Sequence, residues 1–175
     1  MKFPERQAIF MHESQNAKGY RISVKPLLYR PGEKKEICLT IDAETAAQYG
    51  LACQALPEVE GMLENQAGVL FLRYHVSCTP DLECDRCLSP VRTPIAEDFS
   101  HVVVTQTASE QNDSEYLLAS DAMLDLAEAV MTDLRLSLPS KTLCSPDCKG
   151  LCPMCGCNRN ESECSCDSEN VTQNF

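Results

Sequence analysis

The chain has 175 residues, 43% of them apolar, which is enough to fill one real hydrophobic core, and it carries a formal charge of −11 from 26 acidic and 15 basic residues. That balance disfavours nonspecific contact with nucleic acid, which needs clustered Lys and Arg to displace counterions, and it points toward a basic protein as partner. No segment approaches the roughly 18 consecutive apolar residues of a membrane span, and "MKFPERQAIF" lacks a basic head followed by a long apolar stretch, so the expectation is a cytoplasmic protein with no membrane and no small-molecule partner.

In chain order, "YRISVKP" (20–26) alternates Tyr20, Ile22 and Val24 with polar residues, and "EICLTI" (36–41) alternates Ile37, Leu39 and Ile41 with smaller ones; both predict half-buried strands. In "VEGMLENQAGVLFLRYHVSC" (59–78), Asn65 to Gly68 supply turn chemistry between two β-prone runs, which predicts a hairpin. A further strand fits 98–106. The polar, acidic stretch 107–120 reads as a mobile loop. After it the period changes: Met123, Leu126, Ala127, Val130, Met131 and Leu134 fall at helical spacing over 121–139, with Ser120 or Asp121 as cap and Pro139 as stop.

Seven of the twelve cysteines lie in "CSPDCKGLCPMCGCNRNESECSC" (144–166). A reducing compartment favours metal ligation over disulfides. Cys84 and Cys87 form C-x2-C, half of a tetrahedral site; Cys144 with Cys148, Cys152 with Cys155, and Cys164 with Cys166 supply three more pairs, so two four-thiolate sites are complete. "CPMCG" resembles a zinc knuckle, and a knuckle followed soon by another pair closes a small loop around one ion, which groups Cys152, Cys155, Cys164 and Cys166. Cys84, Cys87, Cys144 and Cys148 then form the other site and staple the sheet to the residues after the helix. The competing grouping puts Cys144, Cys148, Cys152 and Cys155 on one metal and leaves Cys84 and Cys87 to Cys164 and Cys166. Cys38 and Cys53 read as small core residues and Cys78 as a strand-end thiol; Cys157, between knuckle and last pair, is a substitute ligand or an extra thiol. Thiolates alone suit zinc or iron, and the lack of a recognised cluster motif leans toward zinc.

All-cysteine sites are saturated, whereas a catalytic zinc keeps a position open. His12, His75 and His101 are widely separated, and the chain shows neither a Gly-rich phosphate loop nor a G-x-S-x-G elbow. Asp85 reads as a solvated charge or partner contact. No catalytic constellation emerges, and the expectation is a protein that is not an enzyme.

"CDRCLSP" (84–90) after a strand, a helix running into "LSLPSKTLC" (136–144), and "DCKGLCPMCGCNRNESECSC" (147–166) together resemble the YceD family of large ribosomal RNA subunit accumulation proteins. The resemblance implies a cytoplasmic bacterial ribosome-assembly or RNA-processing factor. It also implies that Cys84, Cys87, Cys144 and Cys148 act as one unit, because some relatives keep those pairs and lack the last four cysteines. Cys157 departs from the family pattern.

The fold expected is α+β: a mainly antiparallel sheet with one long helix packed on it (1–140), and a cysteine-rich tail (141–175) that binds two structural zinc ions and is tied to the core through Cys84 and Cys87. The acidic body would engage a basic ribosomal or assembly protein, and Arg86, Arg92, Lys141, Lys149 and Arg159 are candidate contacts to that partner or to ribosomal RNA. Rival readings are direct RNA binding through those cations and a thiol-based redox or metal sensor using Cys78 and Cys157 as exposed thiols.

Overall fold

Pro26 decides how the first element ends. The computed structural model describes residues 19–105 and 116–166, and in it β1 (Arg21–Ser23) stops where the sequence predicts a strand to Pro26. A short helix, α1 (Lys25–Leu28), follows, because proline lacks an N–H for a ladder and its fixed φ suits a first helical turn. Next come β2 (Lys34–Thr40) and a helix the periodicity did not announce, α2 (Ala43–Gln48). Asp42 caps α2 by accepting from the Thr45 N–H at 2.8 Å, and Gly50 follows at φ 74°.

The hairpin joins β3 (Cys53–Gln66) to β4 (Val69–Pro80). Gln66 pairs with Val69 across Ala67 (φ 52°) and Gly68 (φ 96°), a turn with two left-handed residues that matches the strand twist. Buried Asn65 secures the tip: its Oδ1 accepts from the Gly68 N–H and its Nδ2 donates to the Leu27 carbonyl. A small hairpin of β5 (Leu82–Glu83) and β6 (Pro90–Val91) then precedes β7 (Ile95–Val104), β8 (Tyr116–Leu118), β9 (Met123–Asp125) and α3 (Leu126–Ser137).

The main sheet has the order β2-β3-β4-β7-β8. It is antiparallel except at its edge, where β8 runs parallel to β7, so the sheet is mixed. Of the expected loop 107–120, residues 116–118 are this edge strand, and the remainder up to 115 lies outside the described residues. The expected long helix is a twelve-residue one. Its start is at Leu126 rather than 121, because Asp121 and Ala122 take φ 55° and 57° in a tight turn and Met123–Asp125 pairs with β1 instead. Asp125, not Ser120 or Asp121, caps it. Pro139 follows the C-cap Leu138, which is held extended.

Alternate residues of β4 (Leu70, Leu72, Tyr74, Val76, Cys78) line one face of the sheet and share a core with Ile37, Val59, Leu63, Leu126, Val130, Met131 and Leu134. Each large apolar side chain buried here contributes about 1.5–3 kcal/mol over exposure. Gly61 lies opposite Tyr74 in this layer; a Cβ there would meet the Arg73 carbonyl at 2.4 Å, so only glycine lets the two strands approach. A second, small core gathers Cys84, Cys87 and Cys148 with Val91, Leu143 and Leu151. Among the described residues, no helix is long and apolar enough to cross a membrane.

Candidate metal centres

Residues 84–89 fill the end of the β5–β6 hairpin. The Cys84 N–H donates to the Ser89 carbonyl (2.9 Å) and the Leu88 N–H to the Cys84 carbonyl (2.9 Å), with Leu88 at φ 58°. This loop leaves the backbone N–H groups of Arg86 and Cys87 facing the sulfur of Cys84. Across from it, the chain after α3 brings Cys144 and Cys148. Cys84 Sγ lies 3.7 Å from Cys148 Sγ, and Cys87 Sγ lies 3.5 Å from Cys144 Sγ.

Polar bonds seat the tail on this knuckle. Asp85 exchanges two bonds with the backbone of Thr142 (2.9 and 2.6 Å). Arg86 donates from its guanidinium to the Cys148 carbonyl (2.8 Å), and its own carbonyl accepts from the Leu151 N–H (2.9 Å). Gly150, at φ 72°, passes so close that a Cβ would sit 3.0 Å from that Arg86 carbonyl oxygen. Asn160 donates to Cys148 Sγ (3.3 Å) and accepts from the Lys149 N–H (2.8 Å), so the loop of the second cluster also supports the first.

The second cluster rests on a copy of the same turn. The Cys152 N–H donates to the Cys157 carbonyl (2.8 Å) and the Gly156 N–H to the Cys152 carbonyl (2.8 Å), with Gly156 at φ 73°. Leu151 and Asn158 bridge beneath it. Cys164 returns to place its sulfur 3.3 Å from that of Cys152 and 3.5 Å from that of Cys155, and Cys166 completes the set.

The structure therefore brings together Cys84, Cys87, Cys144 and Cys148 in one group, and Cys152, Cys155, Cys164 and Cys166 in another, with ligand atoms within 4.8 Å of one another in each. The competing grouping, with Cys144, Cys148, Cys152 and Cys155 together, does not occur. Four thiolates about 2.3 Å from a tetrahedral ion stand about 3.8 Å apart, whereas disulfide sulfurs lie near 2.05 Å; these separations fit an ion's ligand shell. Either group could hold a metal ion.

The electrostatics point the same way. Burial opposes ionisation of Cys84, but the N–H groups of Cys144, Arg86 and Cys87 outweigh it and hold the thiol down at about 6. The N–H groups of Cys155 and Met154 likewise hold Cys152 at about 6. Cys148, despite burial, is lowered by Asn160 and the Gly150 N–H. Hydrogen bonding to neighbouring thiols, Cys87 first for Cys144 and Cys164 first for Cys166, pushes both up to about 12.

The five candidate cations scatter around these groups. Arg92, Lys141 and Lys149 are exposed; Arg86 is engaged by the Cys148 carbonyl, and Arg159 is half-buried with its N–H on the Gly150 carbonyl. None makes an ion pair among the described residues. Cys38, expected in the core, points from the outer face of β2 and is exposed. Cys53 is half-buried. Cys78, required by the redox reading to be exposed, is buried and pushed up to about 11 by that burial and by Cys53 beside it, away from the thiolate such chemistry uses. His12 lies outside the described residues; His75 meets Asp98 on the outer face (3.0 Å), and His101 meets Asp133 (2.6 Å). Sequence reading missed Asp85 as a strap and Asn160 as a hydrogen-bond partner of the Cys148 sulfur; only an Asn-rich loop, "NRN", hinted at the latter.

Comparison with known proteins places these knuckles in a wider group. The family model described as large ribosomal RNA subunit accumulation protein YceD matches residues 72–175. Uncharacterized proteins of Mycobacterium tuberculosis and Mycobacterium bovis are each 28% identical over 143 residues, covering 77% of this chain and 68% of the relative. A Zea mays protein, large ribosomal RNA subunit accumulation protein YCED homolog 1, chloroplastic, is 34% identical over 61 residues, 34% of this chain and 21% of that protein. No solved structure matches the chain.

Proposed function

Because the chain belongs to the YceD family, we propose that it is a non-enzymatic ribosome-biogenesis factor that supports accumulation of large-subunit ribosomal RNA in the cytoplasm. Family membership carries this reading, and the site chemistry is consistent with it: four thiolates per ion saturate a tetrahedral metal and leave no position for water, so the role assigned to the two zincs is to fix a tail that has few apolar residues of its own.

The contact is assigned to a basic ribosomal or assembly protein. Glu36, Glu58 and Glu60 share the outer face of the main sheet and make no ion pair among the described residues. Glu36 and Glu60 border a shallow depression of about 810 Å³ that also includes Cys38, Arg73, His75 and Asp98. Three unneutralised carboxylates on a strand face suit Lys and Arg side chains. The second reading, ribosomal RNA bound directly, rests on exposed Arg92, Lys141 and Lys149 beside the metal groups.

The test is removal of the gene followed by measurement of the ratio of mature large- to small-subunit ribosomal RNA. The ratio should fall and be restored by the wild-type chain; an unchanged ratio overturns the proposal. Failure of Glu36/Glu58/Glu60→Gln to restore it supports the basic-protein contact, whereas failure of Arg92/Lys141/Lys149→Glu alone supports RNA.

A further inference from the structure

Asn160 belongs to the second cysteine group by sequence and to the first by contact. It lies between Cys155 and Cys164, in the loop that those two thiols would close around the second ion. Its side-chain amide turns back to the first group: Nδ2 donates to the sulfur of Cys148 at 3.3 Å, and Oδ1 accepts from the Lys149 N–H at 2.8 Å. Nδ2 also donates to Asn158 Oδ1 at 2.9 Å. Both amide hydrogens and the carbonyl oxygen are thus engaged, and the acceptor that the Lys149 N–H requires turns the donor toward the sulfur.

A hydrogen bond of this kind to a metal-bound thiolate draws charge from the sulfur and fixes its direction. Cys148 is buried, so water competes poorly for that role. The loop itself aims Asn160. Its Arg159 N–H donates to the Gly150 carbonyl at 3.0 Å, Leu151 bridges to Asn158, and the Glu161 and Ser162 N–H groups meet on the Asn158 carbonyl, each at 3.1 Å. An ion held by Cys155 and Cys164 would tie the two ends of that loop. It would therefore remove ordering entropy that Asn160 otherwise loses on reaching Cys148.

We propose that Asn160 is a positioning residue through which the second metal tightens the first, so that the two ions bind cooperatively. The inference rests on the zinc reading above. Such coupling is reciprocal, and the first ion strengthens the second by the same factor. Outer partners of metal ligands change affinity by about 10–100-fold, and a single amide on an exposed loop belongs at the lower end, about tenfold.

The experiment titrates the metal-free full-length chain anaerobically with cobalt(II) against a competing chelator, follows thiolate-to-cobalt absorption, and counts metals by native mass spectrometry. Cys155→Ser/Cys164→Ser gives the binding constant of the first site alone, and Cys84→Ser/Cys87→Ser that of the second. The wild type should bind two ions with a combined constant about tenfold above the product of those two. The same comparison made with Asn160→Ala or Asn160→Asp should show no excess, although each still fills both sites at saturating metal. Asn160→Asp keeps an acceptor for the Lys149 N–H and sets a carboxylate oxygen against the sulfur, so it tests the sulfur bond while that seat is retained. In Asn160→Ala the charge-transfer band should also move to longer wavelength, because the Cys148 thiolate has lost a donor; a role confined to holding the loop would not move it. No excess in the wild type, or an excess that survives in both Asn160 variants, overturns the coupling and leaves the zinc reading intact. Fewer than two metals on the wild type overturns both.

Discussion

Asp85 and Thr142, 57 residues apart, are joined by two hydrogen bonds: the Asp85 N–H donates to the Thr142 carbonyl at 2.9 Å, and the Thr142 N–H donates to the Asp85 carboxylate at 2.6 Å. This strap links the first knuckle to the segment after α3 without using a cysteine. Asp85→Ala removes the charge-assisted half. The carboxylate is exposed, so the expected loss is about 1 kcal/mol, that of an ordinary hydrogen bond and less than a buried bond to a charged group. Urea denaturation of the metal-loaded protein measures it, and an unchanged midpoint would show that the metal alone holds the two segments together.

The thiol grouping predicts what loss of a pair does. Cys84→Ser/Cys87→Ser removes two of the four candidate ligands that join knuckle to tail, whereas the main core holds Cys78, with Cys53 packed against it, and none of the eight grouped cysteines. Native mass spectrometry should show two zincs falling to one. Limited proteolysis should cut between Leu138 and Cys152 while the far-ultraviolet signal of the sheet persists. Two zincs in the variant would mean that these cysteines are not ligands.

Much of this arrangement was legible in the sequence, and its gaps have physical causes. The hairpin was readable because Asn65 to Gly68 carry turn chemistry, and the two cysteine groups because short loops constrain which pairs can meet. The helix stripe Leu126, Ala127, Val130, Met131 and Leu134 was readable for its period, but its start was not: Asp121 and Ala122 adopt left-handed backbone without glycine to signal it. The α2 helix had its signals, Asp42 as cap and Gly50 as stop, but its six residues hold too little periodicity to stand out between strands. Backbone-mediated contacts such as Thr142 to Asp85 leave no side-chain pattern, and the parallel pairing of β8 depends on a connection that local alternation does not encode.

Acidification should release metal in a defined window. Cys84 and Cys152 sit at about 6, below the ordinary 9.0, because backbone N–H groups favour their thiolates in the folded chain. Stability from such depressed groups is fully present above the ordinary value and is lost as pH falls through the folded one. Cys144 and Cys166, raised to about 12, instead give up protons when metal binds, so affinity also rises with pH. Zinc followed with a chromophoric chelator from about pH 7.5 downward should be retained to about pH 6 or lower, because a bound ion keeps thiolates at pH values where the metal-free thiols are protonated, and then released. Complete release already at pH 7 would show that the knuckle amides do not hold these thiolates.

The joint between sheet and helix makes the last test. Asp133 on α3 accepts a hydrogen bond from the hydroxyl of buried Tyr74 on β4 and another from His101 Nε2 on β7, at 2.6 Å for the histidine. Burial first, and then the bond to Asp133, pushes the Tyr74 phenol upward, so it remains a donor across the accessible pH range. Asp133→Ala leaves that hydroxyl unsatisfied in the core and should cost about 1–3 kcal/mol; Tyr74→Phe keeps the ring's packing and leaves Asp133 with His101, so it should cost about 1 kcal/mol or less. The two changes share one bond, and the double variant should therefore be little less stable than Asp133→Ala alone in urea denaturation. Additive losses would mean that Tyr74 and Asp133 stabilise the fold independently and that the helix is held to the sheet by its apolar stripe alone.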